Sequence, residues 1–219
     1  MLSYIIPCES NRSELLMNTL EAYSTQIHFD ICEFLVISRT MSHLPNGFGA
    51  NVRLVNYTYP GTWANPSMAL NIGVREAQHD QIVITSPEVM PITPVIHQFC
   101  MADQNIAVVA KVSEGTQVLT SSQFRNVHPG FYFLAKYPRA GIEAINGWDE
   151  DFMAGLGYDD NDFGERWVRA ELRWMIDDRI IGEHLHHSRE DRKGVPHNDS
   201  LLNRNRTLHW RCKNGLVKE

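Results

Sequence analysis

Short apolar runs too brief for helices punctuate the first half of the chain, and they constrain its fold more than any other feature. Leu2-Ser3-Tyr4-Ile5-Ile6-Pro7, Phe34-Leu35-Val36-Ile37 and Gln81 to Thr85 read as fully buried strands, and Val52 to Tyr57 alternates as a further one. Helical patterns lie between them. Asn11 with Glu14 three residues on resembles a capping box, followed by an apolar face of Leu16, Leu20 and Tyr23. A second pattern runs through Met68, Ile72 and Glu76. This alternation predicts a parallel, doubly wound sheet, in which ligands gather at the carboxyl ends of the strands. Ile106 to Lys111 and Phe131 to Lys136 continue the sheet, and the polar stretch from Ser113 to Pro129 between them reads as a mobile loop.

A length of 219 residues, 43% hydrophobic and 21% charged, suits one large domain with a core, and no repeat or linker divides it. The net charge of -6 argues against a nucleic-acid partner or an anionic membrane surface, which need a basic field. Cys8, Cys32, Cys100 and Cys212 have no C-x-x-C spacing, so reduced thiols are expected rather than a zinc ribbon or redox motif. The opening apolar run is too short, and lacks the basic flank, for a signal peptide or membrane span. The expectation is a cytoplasmic chain without an integral membrane segment.

Function is concentrated further on. Gly147-Trp148-Asp149-Glu150-Asp151-Phe152 is followed by Gly155-Leu156-Gly157-Tyr158-Asp159-Asp160-Asn161-Asp162 and a helical pattern with Phe163 and Trp167 on one face. Glu165 and Arg169 would form an i,i+4 pair in water. So many carboxylates make a poor core element, because each must be paired or neutralised if buried. Asp159 and Asp160 at the helix start could simply complement the helix dipole. Alternatively, one is a general base whose partner orients an acceptor hydroxyl. Trp148 and Tyr158 flank the acids and could pack against a sugar ring, although aromatics are more often core. A second concentration is Glu183-His184-Leu185-His186-His187-Ser188-Arg189. Imidazoles suit a transition metal, and strand alternation would send His184 and His186 to one face and His187 to the other.

The acidic segment and its Gly-x-Gly-x-Asp-Asp-x-Asp helix start resemble the inverting GT-A glycosyltransferases. The likeness is to the β-1,4-galactosyltransferases and to family two enzymes with a galactosyltransferase-like C-terminal half. It implies an α/β GT-A fold, with a mixed, mostly parallel central sheet and helices on both faces. Residues 1–219 would form a single domain, with a nucleotide- and metal-binding half (1–111) and an acceptor-binding, catalytic half (112–219). By position in the family motif, Asp160 takes the role of base and Asp159 that of acceptor-binding carboxylate, with Trp148 and Tyr158 beside them. Ser86-Pro87-Glu88 stands where the family carries its Asp-x-Asp metal motif, which puts Glu88 in the metal-binding position. His187-Ser188-Arg189-Glu190-Asp191 resembles the segment after the family's metal-binding histidine, so His187 is the expected second ligand, with His184 the alternate.

Ile5-Ile6-Pro7-Cys8-Glu9-Ser10-Asn11-Arg12 resembles the first-strand motif with one extra residue, which nominates Pro7, Glu9 and Arg12 for the nucleotide. Ala69-Leu70-Asn71-Ile72-Gly73 resembles the family's Ala-Arg-Asn-x-Gly and nominates Asn71, while Trp63 and Asn65 could line the donor cleft. Ser38-Arg39 replaces an Asp pair that often meets uracil. The activity implied is metal-dependent, inverting transfer of a sugar from a nucleotide diphosphate donor, UDP-linked by family habit, to a saccharide or other hydroxyl acceptor. Manganese or magnesium would be the cofactor. The rivals are a catalytically silent nucleotide-sugar-binding or scaffold protein and a metal-dependent hydrolase, although no H-x-x-E-H or H-E-x-x-H arrangement supports the latter.

Overall fold

The computed structural model describes residues 1–44, 47–59, 61, 65–124, 128–130, 133–187 and 195–218. Among these residues nine strands form one sheet: β1 (Leu2–Pro7), β2 (Glu33–Ser38), β3 (Val52–Asn56), β4 (Gln81–Thr85), β5 (Val89–Pro91), β6 (Ala107–Glu114), β7 (Gln117–Thr120), β8 (Leu134–Pro138) and β9 (Trp174–His184). Their order is β3-β2-β1-β4-β8-β6-β9-β5, with β7 paired to β6. β3, β2, β1 and β4 are mutually parallel. β8 enters antiparallel between β4 and β6, β9 runs parallel to β6, and β5 runs antiparallel to β9. The sheet is therefore mixed and mostly parallel in its first half.

The apolar runs lack alternation because both faces of the sheet are covered. Leu2, Tyr4 and Ile6 pack on one side with Phe34 and Val36, under α1 (Ser13–Ser24) and α3 (Val95–Met101). Ile5, Leu35, Ile37, Ile82 and Ile84 pack on the other, under α2 (Ser67–Glu76), α4 (Arg139–Ala144) and α5 (Asp159–Arg169). Tyr4 stacks on Phe34 at 4.5 Å on the first face, and Phe163 stacks on Trp148 at 4.2 Å on the second. α6 (Val195–Asn205) lies over the acidic segment, and its Leu201 and Leu202 share a small cluster with Phe152 and Tyr158.

Several local expectations change. No capping box forms at Asn11, because Ser10–Arg12 is a 3-10 turn and α1 starts after Arg12 without a side-chain cap. The polar stretch after Ser113 contains the end of β6 and all of β7, since pairing to β6 satisfies its backbone. The expected start of β8, at Phe131 and Tyr132, lies outside the described residues, as does Trp63. Glu165 pairs with Arg206 at 2.6 Å rather than with Arg169. The Arg169 guanidinium instead donates to the carbonyls of Asn205, Arg206 and Leu208 beyond the last turn of α6.

Gly73 is where α2 presses on β1, and a Cβ there would overlap the Ile5 side chain. Helix propensity alone favours Gly73→Ala by about 1 kcal/mol. Overlap with a buried strand residue reverses the sign, and urea denaturation should show a loss of roughly 1–3 kcal/mol.

Candidate functional site

The parallel strands β1 and β4 deliver two loops to the same edge of the sheet, the first carrying Glu9 and Arg12 and the second Glu88. β5 follows Glu88 at once and pairs with the end of β9, Val89 opposite His184, while the Leu185 amide donates to the Glu88 carbonyl at 2.7 Å. This ladder brings residues from opposite ends of the chain together. Glu88 Oε1 lies 3.7 Å from His184 Nε2 and 3.5 Å from His187 Nε2. One ligand atom from each of the three falls within 4.8 Å of the others.

The geometry fits a divalent cation. Ligands about 2.1 Å from one ion sit about 3.0–4.2 Å apart, and the two distances from Glu88 Oε1 to the histidines fall in that range. Glu88 is 5% exposed, and its Oε2 is buried without a hydrogen-bond partner, an orphaned acceptor that a cation would satisfy. Behind the site, Glu114 Oε2 stands 3.3 Å from His184 Nδ1, at ion-pair distance but outside hydrogen-bond geometry. It stands on the Nδ1 side of the His184 ring, while Nε2 is the nitrogen nearer Glu88. His186 is exposed and meets Glu114 Oε1 at 2.7 Å. The expected alternation fails because β9 ends at His184. Residues 185–187 leave the strand, so His184 and His187 share the site and His186 does not.

Arg12 reaches the same carboxylate, with Nη1 donating to Glu88 Oε1 at 2.8 Å. Burial alone would push the Glu88 carboxyl up. The His184 contact and the charges of Arg12 and His187 outweigh it and hold the group below the usual carboxylate range. Nearby, the Glu9 carboxylate accepts from Arg39 at 3.4 Å, and Arg39 also donates to the Gly61 carbonyl. Pro7 ends β1 beside them. Asn71 is a correction. It is wholly buried: Nδ2 donates to the Trp148 carbonyl and to Glu150, and Oδ1 accepts from the Trp148 amide, so it clamps α2 to the acidic segment and has no free group for a donor. Asn65 is likewise buried, and its Oδ1 accepts from the Ser67 amide at the start of α2.

The acidic segment divides in two. Asp149, Glu150, Asp159 and Asp162 are buried, contrary to the expectation that such acids avoid the core. Asp162 takes Arg166 Nε at 2.6 Å, Asn205 bridges Asp149 and Asp162, and Glu150 accepts from Asn71. Burial, reinforced by the charges of Asp162 and Asp151, still pushes the Asp149 carboxyl up to about 6. Trp148 is also corrected. Its ring is fully buried against Phe163, where sheet and helix close over both faces, so it offers no platform to a sugar.

Asp159 and Asp160 open α5, and the left-handed Tyr158 (φ 65°) turns the chain into the helix. Tyr158 is partly buried against Phe152, Leu201 and Leu202. Asp160 is partly exposed, and the Asn161 amide donates to its Oδ1 at 2.8 Å. Burial first and the charge of Asp159 second push Asp160 up to about 7. A carboxyl so placed exchanges a proton near neutrality, as a general base must. The backbone of Gly130 presses on the Asp160 carbonyl, and His128 packs against Gly164 with Nε2 3.0 Å from the Asn161 side chain. Burial pushes His128 down to about 4, so it stays neutral. Nothing in the local sequence marks His128, Glu114 or Asn205, because each meets its partner only through strand or helix packing.

No protein-family model and no curated protein sequence matches the chain. Solved structures do match. The chain superposes on residues 1–349 of Staphylococcus aureus TarS in complex with UDP with a TM-score of 0.70 at 11% identity, covering 93% of this chain and 63% of that one. The mannosyltransferase PcManGT from Pyrobaculum calidifontis, in complex with GDP-Man and Mn2+, gives 0.62 at 17% identity over 94% of this chain and 68% of that one. The fold is GT-A. A Drosophila β-1,4-galactosyltransferase 7 mutant, complexed with manganese, UDP-Gal and xylobiose, gives 0.63 at 13% identity over 98% of this GT-A chain and 82% of that protein. The chain thus spans less than two thirds of the TarS fragment. Among the described residues no helix is long and apolar enough to cross a membrane.

A carboxyl with a folded value above its unfolded one favours folding fully below the unfolded value near 4, and loses that contribution as pH rises through about 7. Asp160→Asn should therefore be more stable than the parent at pH 8 by roughly 1–3 kcal/mol and no more stable at pH 4, as read from thermal melts at the two pH values.

Proposed function

We propose that the chain is a metal-dependent inverting glycosyltransferase that moves a sugar from a nucleotide diphosphate donor, a UDP-sugar by family habit, to a saccharide or other hydroxyl acceptor. The observation that carries this reading is the convergence of Glu88, His184 and His187 at the carboxyl edge of a GT-A sheet. The neighbouring structures hold UDP, GDP-Man with Mn2+ and UDP-Gal with manganese, which supports a nucleotide-sugar donor and a divalent metal here.

Glu88, His184 and His187 would hold manganese or magnesium. A cation bound there stabilises charge on the leaving diphosphate. Arg12 lies against the same carboxylate and would supply a further positive charge for a donor phosphate. Pro7 and Glu9 face the nucleotide, with Arg39 holding Glu9 in position. The Asp160 carboxylate accepts the proton of the acceptor hydroxyl. The freed oxygen bonds to the anomeric carbon from the face opposite the leaving group, the bond from that carbon to the diphosphate oxygen breaks with its electron pair, and the configuration inverts. Asp159 and Tyr158 orient the acceptor. The chain works as one domain, residues 1–219, because the metal ligands come from both of its halves.

Asp160→Asn should lower transfer at least 1,000-fold, on the order of the loss of a general base and its positioning, while manganese and nucleotide still bind. In the parent, kcat/KM should rise with pH through about 7 as Asp160 ionises. His184→Ala should weaken manganese affinity roughly 10–100-fold in calorimetry. Turnover by Asp160→Asn at the parent rate would remove the assigned base. Donor binding with no turnover in either protein would favour a silent nucleotide-sugar-binding or scaffold role. The Arg12–Glu88 contact supports one variant reading, in which Arg12 itself is the cation facing the diphosphate. Turnover that is unaffected by chelator but lost in Arg12→Ala would establish it.

A further inference from the structure

A second cavity, of about 220 Å³, opens between the start of the acidic segment, α5 and the residues after α6. None of Glu88, His184, His187, Asp159 or Asp160 lines it. Its wall includes Arg166, Arg204, Asn205, His209 and Lys213. Arg166 is 1% exposed; its Nε is held by Asp162 and its Nη1 by the Ile145 carbonyl, while Nη2 is buried with no hydrogen-bond partner. A buried guanidinium N–H left without an acceptor is costly, and because Arg166 lines the cavity a small shift of its side chain would bring that N–H to a ligand oxygen there.

Charge points the same way. In an acidic chain, the stretch from Ser200 to Lys218 carries five Lys or Arg and no Asp or Glu. Two of these cations, Arg204 and Lys213, stand exposed at the cavity wall. The carboxylates that also line it are engaged. Asp149 accepts from the Asp151 amide and from Asn205, and Asp151 accepts from Asn214 and lies 3.7 Å from Arg204.

We propose that this cavity is a second ligand site, separate from the metal centre, and that it binds a phosphate group. Arg166 Nη2 supplies a buried donor at its wall, while Arg204 and Lys213 supply exposed cations. Donors from separate positions match the several oxygens of a tetrahedral dianion better than the two of a carboxylate. Asn205 and the bound carboxylates add hydrogen-bonding groups for the hydroxyls of a phosphorylated saccharide, and free phosphate would use the same cations. The proposal does not depend on the catalytic reading of Asp160 or of the metal centre.

The test is calorimetric titration of the whole chain, without metal, using inorganic phosphate and glucose 6-phosphate in parallel. Saturable binding of at least one probe is expected. Arg204→Ala and Lys213→Ala should each weaken it 5-fold or more, and the double variant should abolish it. Glu88→Gln, which alters the metal centre only, should leave it unchanged. Both cationic side chains are exposed, so an unchanged melting temperature will show that the variants fold. Tenfold tighter binding of the sugar phosphate would identify a phosphorylated saccharide as the source, and equal affinities would identify free phosphate. Absence of saturable binding by the folded parent, equal binding by the double variant, or loss of binding in Glu88→Gln would overturn the proposal.

Discussion

A carboxylate withdrawn from water must be met by positive charge or take up a proton, and at Glu88 this requirement joins the two ends of the chain. Arg12 arrives from the loop after β1, and His184 and His187 arrive from the end of β9. Parallel pairing puts the β1 and β4 loops on one edge, and the short antiparallel ladder of β5 with β9 carries the histidines to that edge. The buried carboxylate and its orphaned Oε2 are stable only because those neighbours are present. Three members of that set, Glu88, His184 and His187, are residues that could hold a metal ion.

The acidic segment follows the same electrostatic logic with another outcome. Four of its acids are buried, and Arg166, Asn205 and Asn71 hold three of them, Asp149, Glu150 and Asp162, with hydrogen bonds or an ion pair. They fasten the segment to α2, α5 and α6 and fix where α5 begins. Asp159 and Asp160 stay at the helix mouth, where burial first and the charge of Asp159 second raise Asp160 toward neutrality. One run of acids thus provides both a fastening and a titratable group poised for proton transfer.

The strand positions of the first half were legible, because an unbroken apolar run of five or six residues has few ways to be buried other than between two helix layers. Glu88, His187 and the alternate His184 were legible as candidates, and the fold brings the three together. β5 and most of β9 were not, since their residues are mixed in polarity and become strands through pairing with each other and with β6. Glu114 was invisible for the same reason. It reaches His184 because β6 and β9 are parallel neighbours, a relation that no local pattern encodes. Trp148 and Asn71 looked like ligand contacts because they border acids and a family motif. Packing instead buries the ring on Phe163 and commits the amide to the backbone of Trp148.

By itself the sequence determined where strands could be buried, which helix faces were apolar and which residue types were present for metal and proton chemistry, because each of these depends on side-chain chemistry and short-range periodicity. Only the tertiary structure decided which acids became fastenings and which stayed at the helix mouth, and it alone set His184 beside His187 and left Arg166 Nη2 buried without an acceptor in a residue that lines a cavity. The reason is physical: the cost of a buried charge depends on the groups within a few ångströms, and in this chain those groups come from distant segments.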